Sequence, residues 1–273
     1  MCRWMAYTGN SVPIETLLFE AQHNLIDQSM SSRSAATPTN GDGFGLGWYG
    51  NRERPGLFRS IRPAWNDMNL RDLAAQLESR LFLAHVRATS RANVQETNCH
   101  PFRHGKWLFV HNGEVVGIEK IRRDCLLELD PVLLEEVQGT TDSELMFYLA
   151  LTFGLETDPL GALARMVAFV EDAARSRGVQ HAVWMTLGLS DGESIWAVRY
   201  ASDGKAPTLY HSRDMKDLAE LHPKMSHLFG ADARAVVSEP IGKLAEAWEQ
   251  VPQGAALHVR GAQLALHDFA PED

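Results

Sequence analysis

Four stations in the sequence carry residue types that together could open an amide: Cys2, Arg87, Asn112-Gly113 and Asp142. If Met1 is removed, Cys2 carries a thiol and a free α-amine on one residue. An α-amine titrates near 7.7–8.0 and a thiol near 8.5, so the amine can take the thiol proton directly or through a water. Thiolate attack on a side-chain amide makes a tetrahedral oxyanion. The Asn112 side-chain amide and the Gly113 N–H are a pair of donors for it, and Gly113 has no Cβ to block close approach. Arg87 can grip an α-carboxylate bidentately, while Asp142 can receive an α-ammonium.

Each station also has a plainer reading. Arg87 could form a surface ion pair, Asn112-Gly113 a type I′ hairpin turn between Val110 and Val115, and Asp142 a first-turn helix acid. Cys99, His100, His104 and His111 offer a rival Cys/His dyad or metal site, although their spacing matches no familiar zinc pattern. A structural loop over Asn98 to Phe102 is the simpler expectation, with Cys125 as a core residue.

Hydrophobic spacing places these stations. Residues 2 to 7 alternate, with Trp4 and Ala6 opposed to Arg3 and Met5, and read as a strand. A short helix is expected around Glu15 to Ala21, then a long polar loop over residues 27 to 43. Gly45, Gly47 and Gly50 spell G-x-G-x-x-G, but Asn51 to Gly56 is a turn and not the helix a dinucleotide site needs, so the glycines predict a strand approached closely by other backbone or a ligand. Leu70, Leu73, Ala74 and Leu77 predict a helix over Met68 to Ser79, and Leu81 to Val86 and Trp107 to Val110 buried strands. Between Val115 and Leu155 the period is helical, and Thr141-Asp142-Ser143-Glu144 has the capping-box form. Leu160, Leu163, Ala164 and Val167 mark another long helix. Strands follow at Ala182 to Leu189, Ser194 to Tyr200, Thr208 to His211, Ala235 to Val237 and Ala256 to Val259, with Asp-Gly hairpin signals at residues 190–193 and 202–205. Strands, then helices, then strands imply an α+β layered fold.

The 26 basic and 35 acidic residues leave a formal charge of −9, which argues against nucleic acid or an anionic membrane as partner. The pairs Arg52/Arg54 and Arg122/Arg123 are diluted by acids and read as solvated faces. No leader-like or bilayer-length apolar run is present, and three cysteines are too few for a disulfide framework, so a reduced, cytoplasmic protein is expected. No linker or repeat divides the 273 residues, and a single domain over residues 1–273 is expected.

The stretches Met1-Cys2-Arg3, Asp42 to Gly45, Ala84 to Thr89, Asn98 to Phe102, His111 to Gly113 and Thr141 to Glu144 resemble, in order and spacing, class II glutamine amidotransferases of the N-terminal-nucleophile hydrolase superfamily. Within that family the chain resembles stand-alone members that cleave γ-glutamyl amides in glutathione degradation and ergothioneine synthesis, and Asn40 to Tyr49, Pro63 to Asn66 and Glu96 to Phe102 particularly suggest the glutathione-degrading type. The resemblance implies an αββα sandwich and Cys2 as nucleophile, with Asn112 and Gly113 as oxyanion hole. It also implies Arg87, Thr89 and Asp142 as glutamyl-binding residues, glutamine or a γ-glutamyl conjugate as substrate, and no cofactor. A partner subunit is needed only if ammonia is passed on. The competing expectation is a non-catalytic γ-glutamyl-binding or scaffold subunit.

Overall fold

The computed structural model describes residues 2–31, 39–89, 93–213, 229–230, 232–242 and 245–272. In chain order these hold β1 (Arg3–Pro13), a π-helical turn (Thr16–Glu20), α1 (Leu25–Met30), β2 (Phe44–Trp48), β3 (Gly56–Ser60), α2 (Met68–Gln76), β4 (Glu78–Val86), β5 (Phe102–His104) and β6 (Trp107–Val115). Then come α3 (Ile118–Glu128), α4 (Pro131–Leu134), α5 (Asp142–Thr152) and α6 (Pro159–Ser176). The last part is β7 (Val183–Ser190), β8 (Ser194–Ala201), β9 (Tyr210–Ser212), β10 (Arg234–Val237), β11 (Trp248–Gln250), β12 (Ala255–Arg260) and β13 (Gln263–Asp268). The strands form two antiparallel sheets, β11-β9-β10-β1-β4-β2-β3 and β13-β12-β8-β7-β6-β5.

Period-two alternation makes the layers. Trp4 and Ala6 pack with Leu81, Leu83, Leu108, Val110 and Ile195 between the sheets. Met5 and Tyr7, one residue out of phase, face Leu17, Leu25 and Leu70 of the first helical layer. Trp107 and Phe109 face Leu145, Phe147 and Leu163 of the second helical layer. The α+β expectation thus takes the form helix layer, sheet, sheet, helix layer. Among the described residues, no helix is long and apolar enough to cross a membrane.

Four local expectations are corrected. Residues 27 to 30 belong to α1 and not to a loop: Asn24 caps the helix by accepting from the Asp27 N–H at 2.9 Å, and Gln28 Nε2 donates to the His23 carbonyl at 3.0 Å and the Glu239 carbonyl at 3.2 Å. Tertiary partners satisfy polar side chains that would otherwise favour a loop. Residues 32–38 of that predicted loop lie outside the described residues. The Asp-Gly at 203–204 makes a turn but not a hairpin, because β8 and β9 belong to different sheets; Asp191-Gly192 does join β7 to β8. The helix begun at Met68 stops at Gln76 and β4 starts at Glu78, while the edge strands β11 and β13 had no periodic signal long enough to read.

The glycines of β2 act by close approach, as the absence of a following helix implied. A Cβ on Gly45 would run into the His100 carbonyl oxygen, and one on Gly47 would sit 2.8 Å from Leu108 Cδ1, whereas Gly50 has nothing within 4 Å. Gly45→Ala should therefore cost about 1–3 kcal/mol in urea unfolding, and Gly50→Ala should stay within about 0.5 kcal/mol of the parent. Equal stability of the two variants would contradict the close packing of β2.

Candidate active site

Cys2 immediately precedes β1 and is half-buried, its Sγ 3.5 Å from the Ala88 carbonyl. The strand behind it is fixed on both sides, Met5 pairing with Val237 of β10 and Ala84 of β4. Ser238 clamps the next residue twice: the Trp4 N–H donates to Ser238 Oγ and the Ser238 N–H to the Trp4 carbonyl, both at 3.0 Å. Arg3, 2% exposed, donates from Nη1 to the Cys2 carbonyl at 2.9 Å and from Nε to Glu239 at 3.2 Å. His23 Nε2 holds the other Glu239 oxygen at 2.7 Å. Sequence reading missed Glu239, since nothing in spacing connects positions 236 residues apart.

Asn112 and Gly113 lie inside β6, opposite Thr186 and Met185 of β7, so the hairpin-turn alternative is excluded. Gly113 has φ +154°, and a Cβ there would collide with the Trp184 carbonyl oxygen, which restricts the position to glycine. Asn112 is buried, and its Oδ1 has no hydrogen-bond partner among the described residues.

Asp142 is the first residue of α5, whose N-cap Thr141 accepts from the Glu144 N–H at 3.1 Å. Its Oδ2 accepts from the Val115 N–H at 2.7 Å, and Oδ1 from the N–H and hydroxyl of Ser143 at 2.8 and 3.2 Å. His111 Nδ1 lies within hydrogen-bond distance of Ser143 Oγ, at 2.8 Å. Glu144 does not close the capping box. Its carboxylate instead accepts from the Gln138 and Gly139 N–H groups at 3.0 and 2.7 Å, while burial raises its pKa. Asn98 Oδ1 accepts from the Thr140 N–H at 2.8 Å, so the segment from Asn98 supports the turn that delivers Asp142.

Arg87 follows β4 and is 3% exposed, not a surface ion pair. Its guanidinium donates to the carbonyls of Asp42 at 3.3 Å and Asn93 at 3.2 Å. Asp42 Oδ2 accepts from the Thr89 N–H at 2.8 Å, a link that sequence spacing does not show.

These elements converge on a cleft of about 500 Å³. Ala88 and Thr89 form one wall, Gly113 to Val115 with Ile118, Glu119 and Arg122 another, and Thr140 to Asp142 the end. Thr89, Gly113 and Asp142 line it directly. Cys2, Arg87 and Asn112 stand immediately behind, bonded or adjacent to Ala88 and Gly113. Burial pushes the Cys2 thiol pKa up, the Arg87 charge opposes this and Asp142 adds to it. A raised pKa keeps the resting sulfur in the protonated thiol form.

The rival Cys/His grouping is dispersed. Cys99 Sγ lies 3.4 Å from the Ser60 carbonyl, His104 pairs with Glu136 at 2.8 Å, and His100 stacks on His85 with ring centroids 4.2 Å apart. Among the described residues no three His, Cys, Asp or Glu side chains are grouped to hold a metal ion.

Known proteins share this architecture. The sequence profile of the class II glutamine amidotransferases matches residues 20–271. A probable glutamine amidotransferase of Saccharomyces cerevisiae is 30% identical, the match covering 100% of this chain and 85% of the yeast protein. A gamma-glutamyl-hercynylcysteine sulfoxide hydrolase of Mycolicibacterium smegmatis is 31% identical over 64% of this chain and 72% of its own length. Among solved structures, a glutamine aminotransferase class-II domain protein from Silicibacter pomeroyi superposes with a TM-score of 0.76 at 34% identity, covering both chains fully.

The histidines behind the site carry a pH consequence. Burial lowers the pKa of His85 to about 3, and burial together with His85 and His111 holds His100 well below its ordinary value. Both imidazoles stay neutral in the folded chain and charge near 6.5 when it unfolds. Their depressed folded values mean that the unfolded state binds more protons between about pH 6.5 and 3, so stability is full above that window and falls as pH drops through it. Urea unfolding followed from pH 7 to 4 should show this loss, and His100→Phe should flatten the slope. An unchanged slope in a folded His100→Phe protein would remove His100 as a source.

Proposed function

The chain belongs to the class II glutamine amidotransferases, and from that membership we propose that it hydrolyses the γ-glutamyl amide bond of glutamine or of a γ-glutamyl conjugate through a thioester on Cys2, once Met1 is removed. The observation that carries this reading is the shared cleft, whose walls are the Ala88 segment that meets the Cys2 thiol, the Gly113 backbone and Asp142.

Asp142 receives the substrate α-ammonium, with an orientation already imposed by Val115 and Ser143. Arg87 supplies positive charge for the α-carboxylate, with Thr89 beside it. The Cys2 α-amine takes the thiol proton and the sulfur attacks the amide carbon. Charge then moves to the carbonyl oxygen, which the Asn112 side-chain amide and the Gly113 N–H stabilise. Collapse breaks the C–N bond, the leaving amine takes the proton, and water cleaves the thioester to give glutamate. A cleft of about 500 Å³ leaves room beside a glutamyl group for a leaving group larger than ammonia, which favours a conjugate of the glutathione type. If glutamine is used instead, ammonia is released, and a partner subunit with an acceptor is needed only if that ammonia is passed on.

Protein shown by intact mass to lack Met1 should release glutamate from a γ-glutamyl conjugate, and Cys2→Ala should abolish release with an unchanged circular dichroism spectrum. Asp142→Asn should raise KM about tenfold or more, the value of one hydrogen bond to a charged group. Full turnover by Cys2→Ala would eliminate the thioester mechanism, and saturable binding without turnover in the parent protein would establish the binding-subunit alternative.

A further inference from the structure

Away from this cleft, four arginines converge where the edges of the two sheets meet. β3 is the edge strand of one sheet and β5 of the other. Arg59 belongs to β3, Arg103 to β5, and Arg52 and Arg54 to the turn between β2 and β3. Arg103 Nη1 crosses between the edges to donate to the Pro55 carbonyl at 2.9 Å, and Arg59 Nη1 lies 3.4 Å from the Cys99 carbonyl. Two adjoining clefts of about 460 and 390 Å³ share Arg54 and Arg103.

Glu53 lies between Arg52 and Arg54 in the sequence but lines neither cleft, so the clefts themselves are basic in a chain of net charge −9. None of the four arginines forms an ion pair among the described residues. The larger cleft is lined by Arg52, Arg54 and Arg103 with Trp48 and Pro55, and by no carboxylate. In the smaller one, Glu136 is taken by His104, and Glu144 by the Gln138 and Gly139 N–H groups. Burial and then the nearby Arg54 and Arg59 charges lower the Arg103 pKa, so the cluster repels itself as it stands. Bound negative charge would relieve that repulsion, and guanidinium forks match tetrahedral oxyanions bidentately.

We propose that the Arg52/Arg54/Arg103 cleft, extended by Arg59, is a binding site for a compact oxyanion of the phosphate class carrying two or more negative charges. Its confinement to two small clefts, with no basic stripe leading from them, selects a small ligand over a nucleic acid. The site is separate from the proposed γ-glutamyl chemistry and does not depend on it. The opposing explanation is that these arginines merely guard exposed sheet edges against pairing with other chains.

Isothermal titration with inorganic pyrophosphate at low ionic strength tests the proposal. The parent protein should bind, Arg54→Ala and Arg103→Ala should each weaken binding at least tenfold, and Arg103→Lys should recover part of the loss. Arg54 is exposed and forms no hydrogen bond or ion pair among the described residues, so its variant is expected to remain folded and decisive. Arg122→Ala, in the substrate cleft, should leave binding within twofold. Absence of binding to the parent, equal binding by the Arg54 and Arg103 variants, or loss of binding in Arg122→Ala would each overturn the assignment.

Discussion

The site depends on how firmly the start of β1 is held. Residues near a chain end normally fray, because ordering each one costs about 1–2 kcal/mol of backbone entropy. Here β1 is an interior strand with β10 and β4 on either side, and Ser238 closes both main-chain groups of Trp4. The Arg3–Glu239 pair adds a buried tie that reaches the Cys2 carbonyl itself. A buried pair of this kind is weak evidence for net stability, but losing either partner would strand a charge in the core. Its consequence is positional: the proposed nucleophile is located by residues from the far end of the chain.

The other fixed point is the Asp142 carboxylate. It combines the helix N-terminus, the Val115 N–H and the Ser143 hydroxyl, with His111 behind the hydroxyl. Three donors on one carboxylate leave little rotational freedom, so its charge is already placed for the proposed α-ammonium contact. The same carboxylate raises the Cys2 pKa, which Arg87 offsets only in part because burial is the larger effect. A neutral thiol at rest also suits a site that must not react without substrate, and it makes an adjacent base a requirement of the proposed chemistry.

What could be read in the sequence followed from signals that are local. β4, β6 and α6 have long apolar runs, and Thr141 caps α5 as its position three residues before Glu144 implied. Asn112-Gly113 carried a genuine hairpin signal, but β6 runs on to Val115 because β7 pairs with it along its whole length. α1 was hidden because Gln28 satisfies its amide on the Glu239 carbonyl from a distant part of the chain, a partner that spacing does not show, while Asn24 caps the helix locally. Ser143 and Glu239 were invisible as site residues for a different reason, namely that their roles exist only once β6 meets α5 and β10 meets β1. The four arginines at the sheet edges illustrate the same limit, since Arg103 lies 44 residues beyond Arg59 in the chain yet shares a cleft with it.

The sheet-to-sheet contact explains how the two fixed points keep register. The Trp4 indole lies against Gly188, where a Cβ would come within 2.8 Å of Cζ3, and its Nε1 donates to Thr186 Oγ1 at 3.2 Å. Thr186 is the β7 residue opposite Asn112, and Met185 the one opposite Gly113. Two residues after Cys2, one side chain therefore measures the separation between the sheets against the strand that aligns the proposed oxyanion donors. Spacing across an antiparallel pair follows a fixed alternating pattern, so the pairing of β6 with β7 carries the position set by the Trp4–Thr186 contact across to the proposed donors. Gly188 is what allows the large indole to occupy that gap, which makes a residue with no chemistry of its own part of the geometry on which the chemistry would rest.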